Sequence, residues 1–161
     1  HPELNLIVPE LPNYPEQAAE LLEKLVNQNQ QELLGFIGSS MGGFLSTHLV
    51  EKYGGKAVLI NPAVKPFELL RGFLGEHINP YTQVSFTLDE IHIEQLVLLD
   101  TPTLRDPSAY WALLQTADET LDYRQAEHKY AQSKLTIEQG GDHSFVDYQR
   151  FLPQIISFLS T

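Results

Sequence analysis

Gly38-Ser39-Ser40-Met41-Gly42 is the stretch whose reading decides the fold. It matches G-x-S-x-G, a turn that places a serine between a strand and a helix. Leu33-Leu34-Gly35-Phe36-Ile37 ahead of it reads as a short buried strand, and Gly43 to Tyr53 behind it reads as a helix ended by Gly54-Gly55. A serine at the tip of such a turn takes a strained backbone conformation, and glycines at the flanks let strand and helix approach closely. The strain exposes Oγ, and the following helix aims free N–H groups and its positive dipole end at whatever binds there. The competing reading is an ordinary glycine-rich strand–helix turn. A phosphate-cradling loop is disfavoured, because the Lys-Ser/Thr of that motif does not follow Gly38 to Gly43.

A serine alone is a poor nucleophile and needs a base and an acid. In sites of this type they follow in the order Ser, Asp or Glu, His. Of the histidines, His48, His77 and His92 come too early, and His1 has no place in that order. His128 falls inside an expected helix from Tyr123 to Gln132, where a solvent-facing ring is the simpler reading. His143 lies in Gly140-Gly141-Asp142-His143-Ser144-Phe145, a tight loop directly after the strand-like Leu135-Thr136-Ile137-Glu138, and is the candidate base. The acid should sit in the loop after the apolar run Ala109 to Leu114. Asp118 lies where the chain leaves that strand and is the candidate, with Glu119 its neighbouring rival. Asp122 is a further rival, although Asp122-x-x-Gln125 also resembles a capping box for the next helix.

Along the chain, strands and helices alternate, the pattern of a parallel sheet covered on both faces. Strands are expected at Leu4–Val8, Leu33–Ile37, Lys56–Ile60, Ala109–Leu114 and Leu135–Glu138. Pro15 opens a helix whose Ala18, Leu21, Leu22, Leu25 and Val26 share a face. Tyr148, Phe151, Leu152, Ile155, Ile156 and Leu159 form the stripe of a C-terminal helix, with a kink or restart at Pro153. Residues 66–104 interrupt the alternation. Phe67, Leu69, Leu70, Phe73 and Leu74 read as one amphipathic helix, Gly72, Gly75 and Asn79-Pro80 as bends, and Asp89–Leu99 as a second helix. This insertion is either a cap that covers substrate or a structural element packed on the strand ends. His77 and His92 have no ligand partner at a recognised close spacing, so no metal is expected.

A chain of 161 residues, 42% hydrophobic, can bury a substantial core as one domain spanning residues 1–161. It has no cysteine, which removes disulfide and thiol chemistry and permits a reducing compartment. No apolar run approaches the length of a membrane span, and no signal peptide is visible. With 21 acidic against 10 basic residues the formal charge is −11. That balance argues against nucleic acid, whose affinity for proteins comes largely from Lys and Arg on phosphates, and against anionic membranes.

Four segments carry a resemblance: Gly38-Ser39-Ser40-Met41-Gly42-Gly43, Ile60-Asn61-Pro62-Ala63-Val64-Lys65-Pro66-Phe67-Glu68-Leu69-Leu70, Asn79-Pro80-Tyr81-Thr82, and Thr116-Ala117-Asp118-Glu119-Thr120-Leu121-Asp122-Tyr123-Arg124-Gln125-Ala126. Together the chain resembles the bacterial YqiA-like esterases of the α/β-hydrolase superfamily, from Ile7 to the C-terminal helix. The resemblance implies an α/β-hydrolase fold and a cytoplasmic serine esterase acting on acyl esters or acyl thioesters, with no metal or organic cofactor. It carries the catalytic roles onto Ser40, Asp118 and His143, the residues the spacing also selects, with Met41 N–H as one oxyanion donor. Family members begin with a strand and a His-Gly-Phe-type loop that supplies a second donor. Nothing like it precedes His1, and the sequence does not start with methionine, so that strand and donor are expected to lie ahead of His1. The alternative from another class is a non-catalytic binding or scaffold protein on this fold. A peptidase or lactone hydrolase is the rival within the enzymes.

Overall fold

The structure is a computed structural model that describes residues 3–80 and 82–161; Tyr81 of the Asn79-Pro80-Tyr81-Thr82 segment, and His1, lie outside the described residues. The elements run α1 (Pro15–Asn29), β1 (Phe36–Ser39), α2 (Met41–Tyr53), β2 (Ala57–Ile60), α3 (Pro66–Leu70), β3 (Gly75–Ile78), β4 (Ser85–Leu88), α4 (Glu90–Leu99), β5 (Tyr110–Gln115), α5 (Tyr123–Lys129), β6 (Lys134–Glu138) and α6 (Leu152–Leu159). Four strands form a parallel sheet in the order β1-β2-β5-β6. Every residue of β2 and β5 is buried, as expected of central parallel strands with helices on both faces.

Strand periodicity divides the core in two. Ala57 and Leu59 of β2, with Tyr110, Ala112 and Leu114 of β5, face Val50 of α2 and Ala126 and Tyr130 at α5. The alternate residues Val58, Ile60, Trp111 and Leu113 face Ile155 and Leu159 of α6. A third cluster joins Ala18 of α1, Phe44 and Leu45 of α2, Ala63 and Leu96 of α4, so α1 and α4 pack outside α2. α6 begins at Leu152 with Pro153 in its first turn, after a single 3₁₀ turn at Tyr148–Phe151; Pro153 therefore starts the helix.

Three expectations need correction. Leu4–Val8 forms no strand: no described strand lies beside it, and Leu6 and Val8 are 77% and 80% exposed. An extended segment becomes a strand only through ladder hydrogen bonds, so its apolar composition does not suffice. The strand before Ser40 runs Phe36–Ser39 instead of Leu33–Ile37 and is not buried as expected: only Gly38 in it is buried, and Ile37 is 43% exposed. Within 66–104, the expected first helix stops after five residues. A 3₁₀ turn at Arg71–Phe73 and an extended Leu74 (ψ 145°) follow, and the chain then forms an antiparallel hairpin, β3–β4, that the apolar spacing did not signal. Asp89–Leu99 is helical as expected, with Asp89 and His92 forming a reciprocal cap at the start of α4.

At the strand–helix turn, two glycines are required by contact. A Cβ on Gly38 would lie 2.2 Å from Gly42 O and 2.5 Å from Ser46 Oγ, and one on Gly43 would lie 2.5 Å from Pro62 Cβ. Gly42, although part of the motif, has open space where its Cβ would be. Gly38→Ala should therefore destabilise by at least the 1–3 kcal/mol usual for overpacking. Gly42→Ala, inside α2, should be neutral or gain up to about 1 kcal/mol. Urea denaturation of the two variants checks the contrast.

Beneath the sheet, polar contacts tie α2 to β5 and α5. Thr47 Oγ1 donates to Gly43 O (2.9 Å), so the Tyr130 hydroxyl donates to Thr47 (2.9 Å). The Tyr110 hydroxyl donates to Glu51 Oε1 at 2.5 Å. Burial pushes both phenols well above the ordinary tyrosine range, and the Glu51 carboxylate adds to the effect at Tyr110. Above about pH 10.5 the unfolded chain releases these protons while the folded chain retains them. The unfolded state then binds fewer protons, so stability falls as pH rises, by about 1.4 kcal/mol per pH unit for each tyrosine. Tyr110→Phe should remove one of these two contributions to the slope, as read by chemical denaturation across alkaline pH.

Candidate active site

Ser40 closes β1 and opens α2 with φ 53° and ψ −121°, outside the regions an L-residue normally occupies. Four hydrogen bonds hold it there. Its N–H donates to Ile60 O (3.0 Å), and its carbonyl accepts from Gly43 N (3.0 Å), Phe44 N (3.3 Å) and Ala63 N (3.0 Å). The strain is thus supported from both sides by β2, the segment after it and α2. The N–H groups of Met41 and Gly42 fall in the first turn of α2, where no intrahelical acceptor exists.

His143 reaches this serine from the loop after β6. Its Nε2 lies 3.0 Å from Ser40 Oγ, and its Nδ1 lies 2.9 Å from both Asp118 carboxylate oxygens. The Asp118 side chain is only 2% exposed and also accepts from Thr120 N and Leu121 N at 2.9 Å each. An ionised carboxylate only accepts, so Nδ1 carries the proton of the neutral imidazole, and Nε2 is left to accept from the Ser40 hydroxyl. The chain therefore brings together the three residues selected from the sequence. Each rival carboxylate has another position. Glu119 Oε2 accepts from the backbone N–H of His143 (3.0 Å), and Asp122 caps α5 by accepting from Arg124 N (3.1 Å).

The other described histidines lie apart. His128 is exposed on α5. His48 bonds Glu23 and Leu99 O at 3.2 Å each, His77 bonds Phe73 O, and His92 caps α4 while stacking on Tyr14. A recess of about 160 Å³ opens between Ala63–Leu69 and Thr120–Gln125, which lie within two of the segments that carry the sequence resemblance. It flanks the Asp118 loop, and neither Ser40 nor His143 lines it.

Two buried polar residues at the same sheet edge were not singled out from the sequence. Asn61 and Gln115, each 3% exposed, follow β2 and end β5, and their side chains bond the loop that carries His143. The available signal was a polar residue closing an otherwise apolar strand, in Val58-Leu59-Ile60-Asn61 and Ala112-Leu113-Leu114-Gln115.

Solved structures with this architecture include the monoacylglycerol lipase of Paleococcus ferrophilus, at 12% identity and TM-score 0.66 over 94% of this chain and 77% of the other. Est1E of Butyrivibrio proteoclasticus matches at 12% identity and TM-score 0.62 over 91% and 70%. The alpha/beta hydrolase domain-containing protein 10 of mouse matches at 15% identity and TM-score 0.60 over 89% and 67%. At these identities the likeness shows the fold, which is that of the α/β-hydrolases. A family model described as "Uncharacterised protein family (UPF0227)" matches residues 1–160, and the chain belongs to that YqiA-like family.

The hydrogen-bond directions can be checked without substrate. In ¹⁵N-resolved spectra at neutral pH, His143 should carry its proton on Nδ1. Asp118→Asn, whose side-chain amide can donate to the ring, should shift the population toward the Nε2–H tautomer.

Proposed function

We propose that this chain is a serine hydrolase that cleaves acyl esters or acyl thioesters through an acyl-enzyme. The observation that carries the reading is the 3.0 Å contact between Ser40 Oγ and His143 Nε2, made by a serine in a strained strand–helix turn and an imidazole oriented by a buried carboxylate. In this reading Ser40 Oγ attacks the acyl carbonyl while His143 Nε2 takes its proton. Asp118 holds the tautomer and stabilises the imidazolium. Met41 N–H donates to the oxyanion, a contribution of about 3 kcal/mol for one such donor. The imidazolium then protonates the departing alcohol or thiol, and a water activated by His143 releases the acid.

The rest of the chain fits this role as one domain, with residues 66–104 covering the substrate. Phe67 and Leu70 of α3 pack in the same cluster as Met41 and Leu121, next to Ser40 and Asp118, which supports an apolar surface for the acyl part. No helix among the described residues is long and apolar enough to cross a membrane. The reading takes the site of action to be the cytoplasm and requires neither nucleic acid nor a membrane.

A fluorophosphonate probe should label the full chain at Ser40, and Ser40→Ala should abolish labelling and p-nitrophenyl ester turnover without loss of fold. Asp118→Asn should lower turnover by about 10⁴, the size of effect the same change has in a serine protease. A parent chain that folds, takes no label and turns over no ester would reject the hydrolase and favour a binding or scaffold role.

A further inference from the structure

We infer that Asn61 and Gln115 are positioning residues that clamp the His143 loop onto the strand ends through their side-chain amides; this builds on the serine-hydrolase reading. Asn61 follows β2, and its backbone continues the ladder by donating to Leu113 O (2.9 Å). It then turns into the left-handed region (φ 39°), which asparagine tolerates better than most residues. That turn aims the amide along the sheet edge. Oδ1 accepts from Gln115 N (2.9 Å), and Nδ2 donates to Asp142 O (3.0 Å) and His143 O (3.1 Å).

Gln115, the last residue of β5, grips the same loop from the next strand. Its Oε1 accepts from Asp142 N (3.2 Å) and Val146 N (2.8 Å), and its Nε2 donates to Val146 O (3.1 Å) and Glu138 Oε2 (3.1 Å). Five of these bonds therefore end on backbone atoms of Asp142, His143 and Val146. The loop presses closely on the amide: a Cβ on Gly141 would lie 1.9 Å from Gln115 Oε1.

The loop requires such a clamp. Phe145 (φ 65°) and Asp147 (φ 60°) are non-glycine residues in the left-handed region, which persists only where the surroundings over-determine it. Phe145, 2% exposed against Trp111 and Ile155, supplies an apolar anchor beyond the histidine. An apolar contact is non-directional. The two amides add the directional constraint at His143 itself, where displacement of the ring by about 1 Å is enough to cost on the order of 10² in rate.

The test uses the full chain and three variants: Asn61→Asp, Gln115→Glu and Asn61→Gly. The first two keep shape while setting a carboxylate oxygen against carbonyl oxygens. The third keeps the left-handed backbone and removes the amide. Three measurements are made on folded protein, with folding checked by circular dichroism: the downfield proton signal of His143 Nδ1–H, the rate of fluorophosphonate labelling at Ser40, and kcat and KM for a p-nitrophenyl ester. The expected result is a Nδ1–H signal broadened by exchange with water, labelling and kcat lowered by about 10², and a nearly unchanged KM. Lower melting temperature with the signal and the labelling rate per folded molecule unchanged would make both residues merely structural and overturn the inference. The proton signal needs no turnover. A parent chain that shows it but takes no label would therefore reject the serine-hydrolase reading alone, and the variants' signals would still decide whether the clamp exists.

Discussion

The backbone of Ser40 is the constraint on which the rest of the structure depends. A φ of 53° with ψ −121° is costly for any side-chain-bearing residue, and the neighbouring elements are arranged to hold it. Ile60 O and Ala63 N reach it from either side of Asn61-Pro62, and two amides of α2 close on its carbonyl. These contacts require β1, β2 and α2 to approach closely, which excludes a Cβ at Gly38 and Gly43 and sets Pro62 against the helix. Gly42, by contrast, has room to spare. The motif's outer glycines are thus unequal: Gly38 answers to contact, and on the helix side the burden falls on Gly43.

A parallel sheet turns one such constraint into a site. All four strands of β1-β2-β5-β6 run the same way, so their C-terminal ends lie along one edge. Ser40, Asn61, Gln115 with Asp118, and the His143 loop each lie at or just after one of these ends. Ligands in open α/β sheets bind at this edge for the same reason. Adjacent strands lie about 4.8 Å apart, so short loops can bring side chains separated by 103 residues, Ser40 and His143, to 3.0 Å. The polar groups gathered there satisfy one another: Asp118 accepts from two backbone amides and the imidazole, and the amides of Asn61 and Gln115 are bonded on both their oxygen and nitrogen sides. Such a network is rigid because a missing partner would leave a buried polar group unpaired.

The contacts further along α2 show a different use of buried polarity. Thr47, Tyr130, Tyr110 and Glu51 hold α2, β5 and α5 together through hydroxyl hydrogen bonds within a largely apolar layer. These groups lie on the face of α2 that is turned toward β5 and α5. They secure α2 against the sheet, and with it the first-turn amides that face the serine.

Local signals in the sequence were enough for the central strands, for α1, α2, α4 and α6, and for naming Ser40, His143 and a short list of carboxylates, Asp118 among them, as candidates. Apolar runs, glycine and proline positions, and the chain order of a serine, an acid and a base each reflect constraints that act within a few residues or recur in fixed order. The failures share another cause. Leu4–Val8 has a strand's composition, yet strand formation depends on a partner's hydrogen bonds. The β3–β4 hairpin and the short α3 arise because Leu74 and Gly75 turn the chain out of a helix that its apolar spacing favoured. Asn61 and Gln115 gave only the weak sign of a polar residue at a strand end. By itself the sequence determined where the central strands β2 and β5 lie and which residues belong near the strand ends. Only the tertiary structure decided which of the neighbouring carboxylates meets the imidazole and which amides hold its loop. Those choices rest on contacts between residues 25 to 81 positions apart, whose geometry exists only once the sheet has brought the strand ends into line.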